Sequence, residues 1–230
     1  MAARREEGSV QGLYLAAEAG HNGKSHNHND VGNFLVYADG APAIIDVGVE
    51  TYTARTFSPQ RYDIWTMQSA YHNCPTIGGV MQSAGREFAA TEVSYRADDR
   101  QAELSMNIAK AYPATAHLAA WRRALRLDRV NNTIEVVDDY RLTESAHTIT
   151  LTLMTPCAAQ LQTAGEITLP MPSGRPLLIA YDGAALRARV EEIPIEDARL
   201  RESWGERLYR VQLHADTPPL GAKWTLRISQ

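Results

Sequence analysis

His147-Thr148-Ile149-Thr150-Leu151-Thr152-Leu153-Met154 places Ile149, Leu151 and Leu153 in alternation with three threonines. Successive side chains on an extended backbone point to opposite faces, so this octet predicts a strand with one buried and one wetted face. The same reading applies to Asn33 to Ala38, Ala43 to Val49, Glu103 to Lys110, Ala124 to Val130, Thr133 to Val137, Tyr209 to Leu213 and Trp224 to Ile228. Leu13-Tyr14-Leu15-Ala16-Ala17 also reads as a strand, one entering a fold already under way. Turn formers separate these runs at Asp39-Gly40, Asn131-Asn132, Ser173-Gly174, Asp182-Gly183 and Pro218-Pro219. Many strands with few helices imply stacked antiparallel sheets, an all-β sandwich. One short helix is expected near 58–69, where Ser58 suits the cap and Pro59 the first helical position.

The 230 residues carry 23 basic and 27 acidic side chains, a formal charge of −4, which argues against a nucleic-acid partner. With 44% hydrophobic and 22% charged residues, disorder, collagen and coiled coil are poor fits. No repeat, low-complexity tract or long linker divides the chain, so residues 1–230 are read as a single domain. Cys74 and Cys157 belong to no metal-binding or disulfide pattern and are expected to be free thiols. The first residues lack the apolar run of a signal peptide, and nothing approaches the ~20 apolar residues of a membrane span. No membrane partner is expected, and a periplasmic or cytoplasmic location in a bacterium is left open.

Four of the seven histidines, His21, His26, His28 and His72, fall in the first third of the chain. In His26-Asn27-His28 an extended backbone projects both imidazoles to one face, with β-carbons roughly 6.5 to 7 Å apart. That spacing suits two nitrogen ligands on one metal, or one ligand beside one proton-transfer group; it equally describes two polar loop histidines. Asp46 interrupts the apolar run Ala43-Ile44-Ile45-Asp46-Val47, and a carboxylate there needs a cation or several donors. The bland reading makes it a strand-end aspartate accepting backbone bonds near Gly48. His72, taken alone, reads as a packed or surface histidine. Two histidines and one aspartate leave a fourth position open on a zinc-like ion. A plain hairpin pairing Ala38 with Ala43 and Leu35 with Asp46 would leave His28 roughly 23 Å away along the strand, so the cluster requires a bend at Asp30-Val31-Gly32 or beyond Gly48.

The run Gly20-His-Asn-Gly-Lys-Ser-His-Asn-His-Asn-Asp-Val-Gly-Asn-Phe34, followed by Tyr37-Ala-Asp-Gly40, Ile45-Asp-Val-Gly48, Tyr52-Thr53, Arg61-Tyr62 and His72-Asn73, resembles the carboxy-terminal domain of heparinase II/III-like polysaccharide lyases. Motif order and spacing carry the resemblance over residues 20 to 80. Softer matches follow at Trp121-Arg122-Arg123, Asp138-Asp139-Tyr140 and Trp204-Gly205 through Arg210. The resemblance implies a β-sandwich that works beside a helical toroid, cleaving uronate-containing glycans by β-elimination. It implies His28, Asp46 and His72 as ligands of a structural zinc ion. It also implies His26 as the imidazole that meets the uronate, and Tyr62 as a tyrosine near the leaving oxygen. Lys24, Arg55 and Arg61 are candidate attractors of an anionic sugar, or ordinary solvated surface residues.

No segment here resembles the toroid, which in such lyases supplies the opposite wall of the active site. The chain is therefore expected to be inactive or weak alone, with an acidic polysaccharide and a helical toroid domain as its partners. Two other readings stand beside this one. The first is a non-enzymatic sugar-binding or interdomain packing module with a structural metal. The second is a cupin-like metalloenzyme, suggested by Gly20-x5-His26-x-His28 but lacking the expected glutamate at Gly32 or Asn33.

Overall fold

In the computed structural model, which describes residues 1–230, the deciding octet forms the strand Thr148–Thr155. It lies inside an antiparallel sheet ordered Arg187–Pro194, Arg207–Asp216, Thr148–Thr155, Pro75–Ile77. Ile149, Leu151 and Leu153 are buried as the alternation requires, but Thr152 and Met154 on the face expected to be wetted are buried as well, so only Thr148 and Thr150 keep partial exposure there. A second four-stranded sheet runs Ala2–Arg4, Leu13–Ala17, Phe34–Ala38, Ala41–Ile44. The two meet where the Ile45 amide donates to the Met154 carbonyl at 2.9 Å. Facing them is a seven-stranded antiparallel sheet whose central strands are Gly221–Ser229, Thr133–Leu142 and Leu118–Asp128.

One continuous apolar core draws Leu15 and Val36, Leu151 and Leu213, and Leu125 and Ile228 from these three sheets. The result is the all-β sandwich expected from the alternation. A smaller apolar cluster, Ile45, Val47, Met154, Ile195, Leu200 and Leu208, joins the end of the sheet junction to the helix Ala198–Trp204. No helix is long and apolar enough to cross a membrane.

Three local expectations need correction. Residues 58–69 form no α-helix. They lie in a chain of short, tightly wound turns of three to five residues, Ala54–Phe57, Pro59–Asp63, Trp65–Met67 and Ser69–Tyr71, broken by extended Ile64 and Gln68. Ser58 does cap, accepting from the Gln60 amide, and Pro59 does open the turn. The carbonyls that an α-helix would use are bound elsewhere: Tyr62 by Gln68 Nε2, Thr66 by His72 Nε2 and Met67 by the Asn29 amide. Tertiary partners thus hold the segment in i→i+3 turns. The α-helix lies instead at Ala198–Trp204, where the Asp197 side chain accepts from the Leu200 amide.

The hairpin is also tighter than expected. Asp39 and Gly40 both have positive φ, forming a two-residue turn that pairs Ala38 with Ala41. A bulge then pairs Val36 with Ile44. The strand ends at Ile44 rather than continuing to Val49, so Asp46 lies beyond it, where Gly48 turns with φ +80°.

Arg123 and Asp138, on adjacent strands of the large sheet, form an ion pair exposed by only 3% and 2% of its side-chain surfaces. Asp138 accepts from Arg123 Nε and Nη2 at 2.8 Å each, and from Trp121 Nε1 at 2.6 Å. Arg123 Nη1 spans the layers to the carbonyls of Gly32 at 3.0 Å and Asn73 at 2.7 Å. A buried pair is destabilising to break because the survivor is left uncompensated. Arg123→Met is therefore expected to cost ~3–5 kcal/mol in urea unfolding, and Arg123→Met/Asp138→Leu distinctly less. A single-variant loss no larger than that for the exposed pair Arg187–Asp216 would overturn this assignment.

Candidate metal centre and its surroundings

The loop 18–33 turns back on itself before the strand Phe34–Ala38 begins. Gly32, with φ +85°, donates to the Glu18 carbonyl, and Asn33 donates to that of Asp30. This is the bend at Asp30-Val31-Gly32 that the hairpin arithmetic required. Gln82 locks the loop like a neighbouring strand: its side chain accepts from the Val31 amide at 2.9 Å and donates to the Val31 carbonyl at 2.8 Å. Asn22, Asn27 and Asn29 complete the packing through amide bonds to Gln82, Tyr62 and the Gln82 carbonyl.

The bend brings His28 to Asp46 and His72. One ligand atom from each lies within 4.8 Å of the other two. The His28 and His72 rings are 5.2 Å apart between centroids, tilted by 54°. Asp46 combines both readings of its sequence position. Its Oδ1 accepts from the Gly48 amide at 2.8 Å, the bland strand-end role, while Oδ2 accepts from Asn33 Nδ2 at 2.7 Å and faces His72 Nδ1 at 3.2 Å.

His72 is fully buried, with Nε2 3.1 Å from the Thr66 carbonyl. A carbonyl only accepts, so Nε2 carries a proton; Nδ1 faces Asp46 and offers a lone pair to a metal ion once it carries none. That Nδ1 is buried 3.2 Å from Asp46 Oδ2 without completing a hydrogen bond. A buried nitrogen beside a carboxylate and a second imidazole matches the donor types that a divalent cation takes, and the Thr66 carbonyl holds the ring as outer-sphere partners of ligating histidines do. The residues present therefore fit a zinc-like ion.

The cluster's electrostatics follow from burial. His28 is lowered to about 4, first by burial, then by the charge of His72. Burial opposes ionisation of Asp46, but His72 and the Gly48 amide outweigh it and hold the carboxyl well below its usual range. His72 is raised, Asp46 outweighing burial. Asp30 is pushed up to about 7, mainly by burial, with Glu18 and Asp46 adding and His72 opposing. Asp46, alone of the three cluster residues, lines a recess of about 360 Å3 together with Met1, Glu18, Asp30, Asn33 and Leu35.

His26 does not join His28. Its φ of +57° breaks the extended geometry that would have put both imidazoles on one face. The exposed His26 ring instead stacks on Tyr52, with centroids 5.7 Å apart and planes within 7°, and meets Phe57 edge-on at 6.4 Å. Tyr62 bonds the residue that follows His26, its hydroxyl accepting from Asn27 Nδ2 at 3.3 Å. Lys24 pairs with Glu18, Arg55 with Asp63, and Arg61 donates to the Asn27 and Thr56 carbonyls. Sequence reasoning missed Asn33, Asn73, Gln82 and Arg123 as supports of the site. Their only signals were the density of asparagines around the histidines and the softer motifs after residue 80.

The family description "Heparinase II/III-like, C-terminal" matches residues 4–214. The chain belongs to this family. Among solved structures it is similar to the heparinase III product of the BT4657 gene, with a TM-score of 0.72 and 14% identity over 96% of this chain and 32% of that one. Heparan sulfate lyase HepC from Pedobacter heparinus gives a TM-score of 0.73 and 13% identity over 94% and 33%. A further heparinase III gives 0.63 and 16% over 96% and 36%. At these identities the likeness is one of fold. The chain spans about a third of the length of each heparinase structure it matches. No curated protein sequence matches it significantly.

The lowered His28 has a measurable consequence in metal-free protein. Between 6.5 and about 4 the unfolded imidazole takes up a proton that the folded one refuses. His28 thus makes folding less favourable as pH falls through that window, by ~1.4 kcal/mol per pH unit. His28→Asn is expected to gain stability relative to the parent over this range in urea unfolding. A parent–variant difference that does not change with pH would show that His28 is not held neutral.

Proposed function

We propose that this chain forms the β-sandwich wall of a polysaccharide lyase that cleaves uronate-containing glycans by β-elimination, with a helical domain supplying the facing wall. The observation that carries this reading is the closed His28–Asp46–His72 cluster in a heparinase-family fold, with His26 exposed two residues before His28 and Tyr62 bonded to the Asn27 between them.

Elimination removes the proton from the carbon beside the uronate carboxylate and returns one to the oxygen that leaves from the β carbon. The C–O bond breaks as a C=C bond forms, and negative charge builds on the carboxylate in between. An imidazole at His26 is suited to meet that carboxylate or to relay the proton, since its ring is exposed yet fixed by Tyr52 and Phe57. Tyr62 accepts rather than donates towards Asn27, so its own proton is free to pass to the leaving oxygen. A zinc ion held by His28, Asp46 and His72 would supply a fixed positive charge joining three distant chain segments. The residues themselves set the loop: Thr66 orients His72, and Asn33 with Gly48 orients Asp46.

Two measurements test this reading. The purified chain is expected to carry a stoichiometric divalent ion by elemental analysis, and His28→Ala and Asp46→Ala to lose it; equal metal in all three would remove the ligand assignment. The chain alone is expected to generate no unsaturated-uronate absorbance, and the chain joined to a matching helical domain to generate it. Robust turnover by the chain alone would overturn the two-wall assignment. Hydrolytic cleavage of neutral glycans by the joined protein would overturn the elimination chemistry.

A further inference from the structure

The cations suggested by the sequence motif are all engaged within the protein. Lys24 meets Glu18 at 2.8 Å, Arg55 meets Asp63 at 3.5 Å, and Arg61 spends Nε, Nη1 and Nη2 on backbone carbonyls. A cation from far down the chain reaches the same aromatic stack. Arg199, on the helix Ala198–Trp204, places its guanidinium 5.6 Å from the Tyr52 ring centroid. Tyr52 in turn stacks on His26, and Phe57, 69% exposed, stands edge-on to both.

Arg199 is exposed, lies within ion-pair distance of no carboxylate and donates no side-chain hydrogen bond, whereas the nearby Arg201 donates to the Ile195 carbonyl. Its helix is not a loose appendage. Asp197 accepts from the Thr51 amide at 3.0 Å, Trp204 Nε1 donates to the Val47 carbonyl at 2.9 Å, and Leu200 enters the smaller apolar cluster. The two hydrogen bonds run to Thr51 and Val47, in the stretch between Asp46 and Tyr52, and the cluster that Leu200 enters also contains Val47. The fold therefore holds a guanidinium with unused donors beside the exposed imidazole.

Resting on the lyase reading above, we propose that Arg199 is a specificity-determining residue that binds an anionic group of the glycan, a carboxylate or a sulfate, on the sugar packed against Tyr52 and Phe57. A guanidinium presents planar paired donors that match either oxyanion, and stacking on Tyr52 limits the freedom it loses on binding. Flat aromatic faces give the sugar ring an apolar surface, and the charge selects acidic over neutral sugars. His26 and Arg199, both in contact with Tyr52, then read the same sugar chain.

The test uses the full chain, its Arg199→Ala and Arg199→Lys variants and three tetrasaccharide probes, with affinities from NMR titration of the His26 imidazole resonances. One probe is an unsulfated uronate-containing tetrasaccharide, the second its carboxyl-reduced neutral form, and the third the reduced form bearing N-sulfates. The parent chain is expected to prefer a charged probe over the neutral one by about tenfold. Preference for the first probe identifies the anion as carboxylate, and preference for the third as sulfate. Arg199→Ala is expected to abolish the preference with metal content and neutral-probe affinity unchanged, and Arg199→Lys to restore part of it. An unchanged preference in Arg199→Ala overturns this proposal while leaving the lyase reading intact. Failure of the parent to bind any of the three probes removes the lyase reading and this proposal together.

Discussion

The side chain of Asn73 resolves a problem that any sandwich with a site at a sheet junction must face. Where strands end inside a protein, their last amides and carbonyls lose ladder partners, and each one left buried without a partner costs free energy. Asn73 Nδ2 donates to the carbonyls of Phe34 and Ile45 at 2.6 and 2.9 Å, and Oδ1 accepts from the Met154 amide at 2.7 Å. One amide group thereby closes the start of one strand, the exit of a second and the end of a third. Its backbone is held too, the amide by Asn33 Oδ1 and the carbonyl by Arg123. No apolar residue of similar size could satisfy those groups, and an aspartate would lose the two donors.

That junction explains where the metal-fitting cluster lies. His72 precedes Asn73, Asp46 follows Ile45, and Asn33, which holds Asp46, precedes Phe34. Ligand candidates are therefore offset by one residue from the backbone groups that Asn73 ties together, so the packing of the junction sets the spacing of the cluster. His28 arrives through the Gly32 bend, whose carbonyl is gripped by Arg123. The buried Arg123–Asp138 pair thus links the large sheet to the site loop. Buried ion pairs often add little net stability, and here the pair's evident effect is on geometry.

Around this rigid centre the exposed face is built differently. His26, Tyr52, Phe57 and Arg199 contact one another through rings and a guanidinium, with no hydrogen bonds among them. Such contacts are individually weak and leave donors and faces open to a ligand. The positive φ at His26 separates the two classes of imidazole: His28 turns inward to polar partners, and His26 turns outward to aromatic ones.

The sandwich was legible in the sequence because strand alternation is a local consequence of burying one face, and Ile149, Leu151 and Leu153 are buried accordingly, although tertiary packing also covers Thr152 and Met154 behind them. The family motif marked His26, His28, Asp46, Tyr62 and His72 because those side chains sit on short stretches of unusual composition. What only the tertiary structure decided were features whose partners lie far apart in the chain. Residues 58–69 carry helical signals, yet the distant Asn29 amide claims the Met67 carbonyl, and nearby Gln68 and His72 take those of Tyr62 and Thr66, leaving only tight turns. Arg199 sits 147 positions beyond Tyr52, and no local pattern announces that its helix docks there. Alternation and motifs record what a residue needs, whereas hydrogen bonds across the junction select which distant group supplies it.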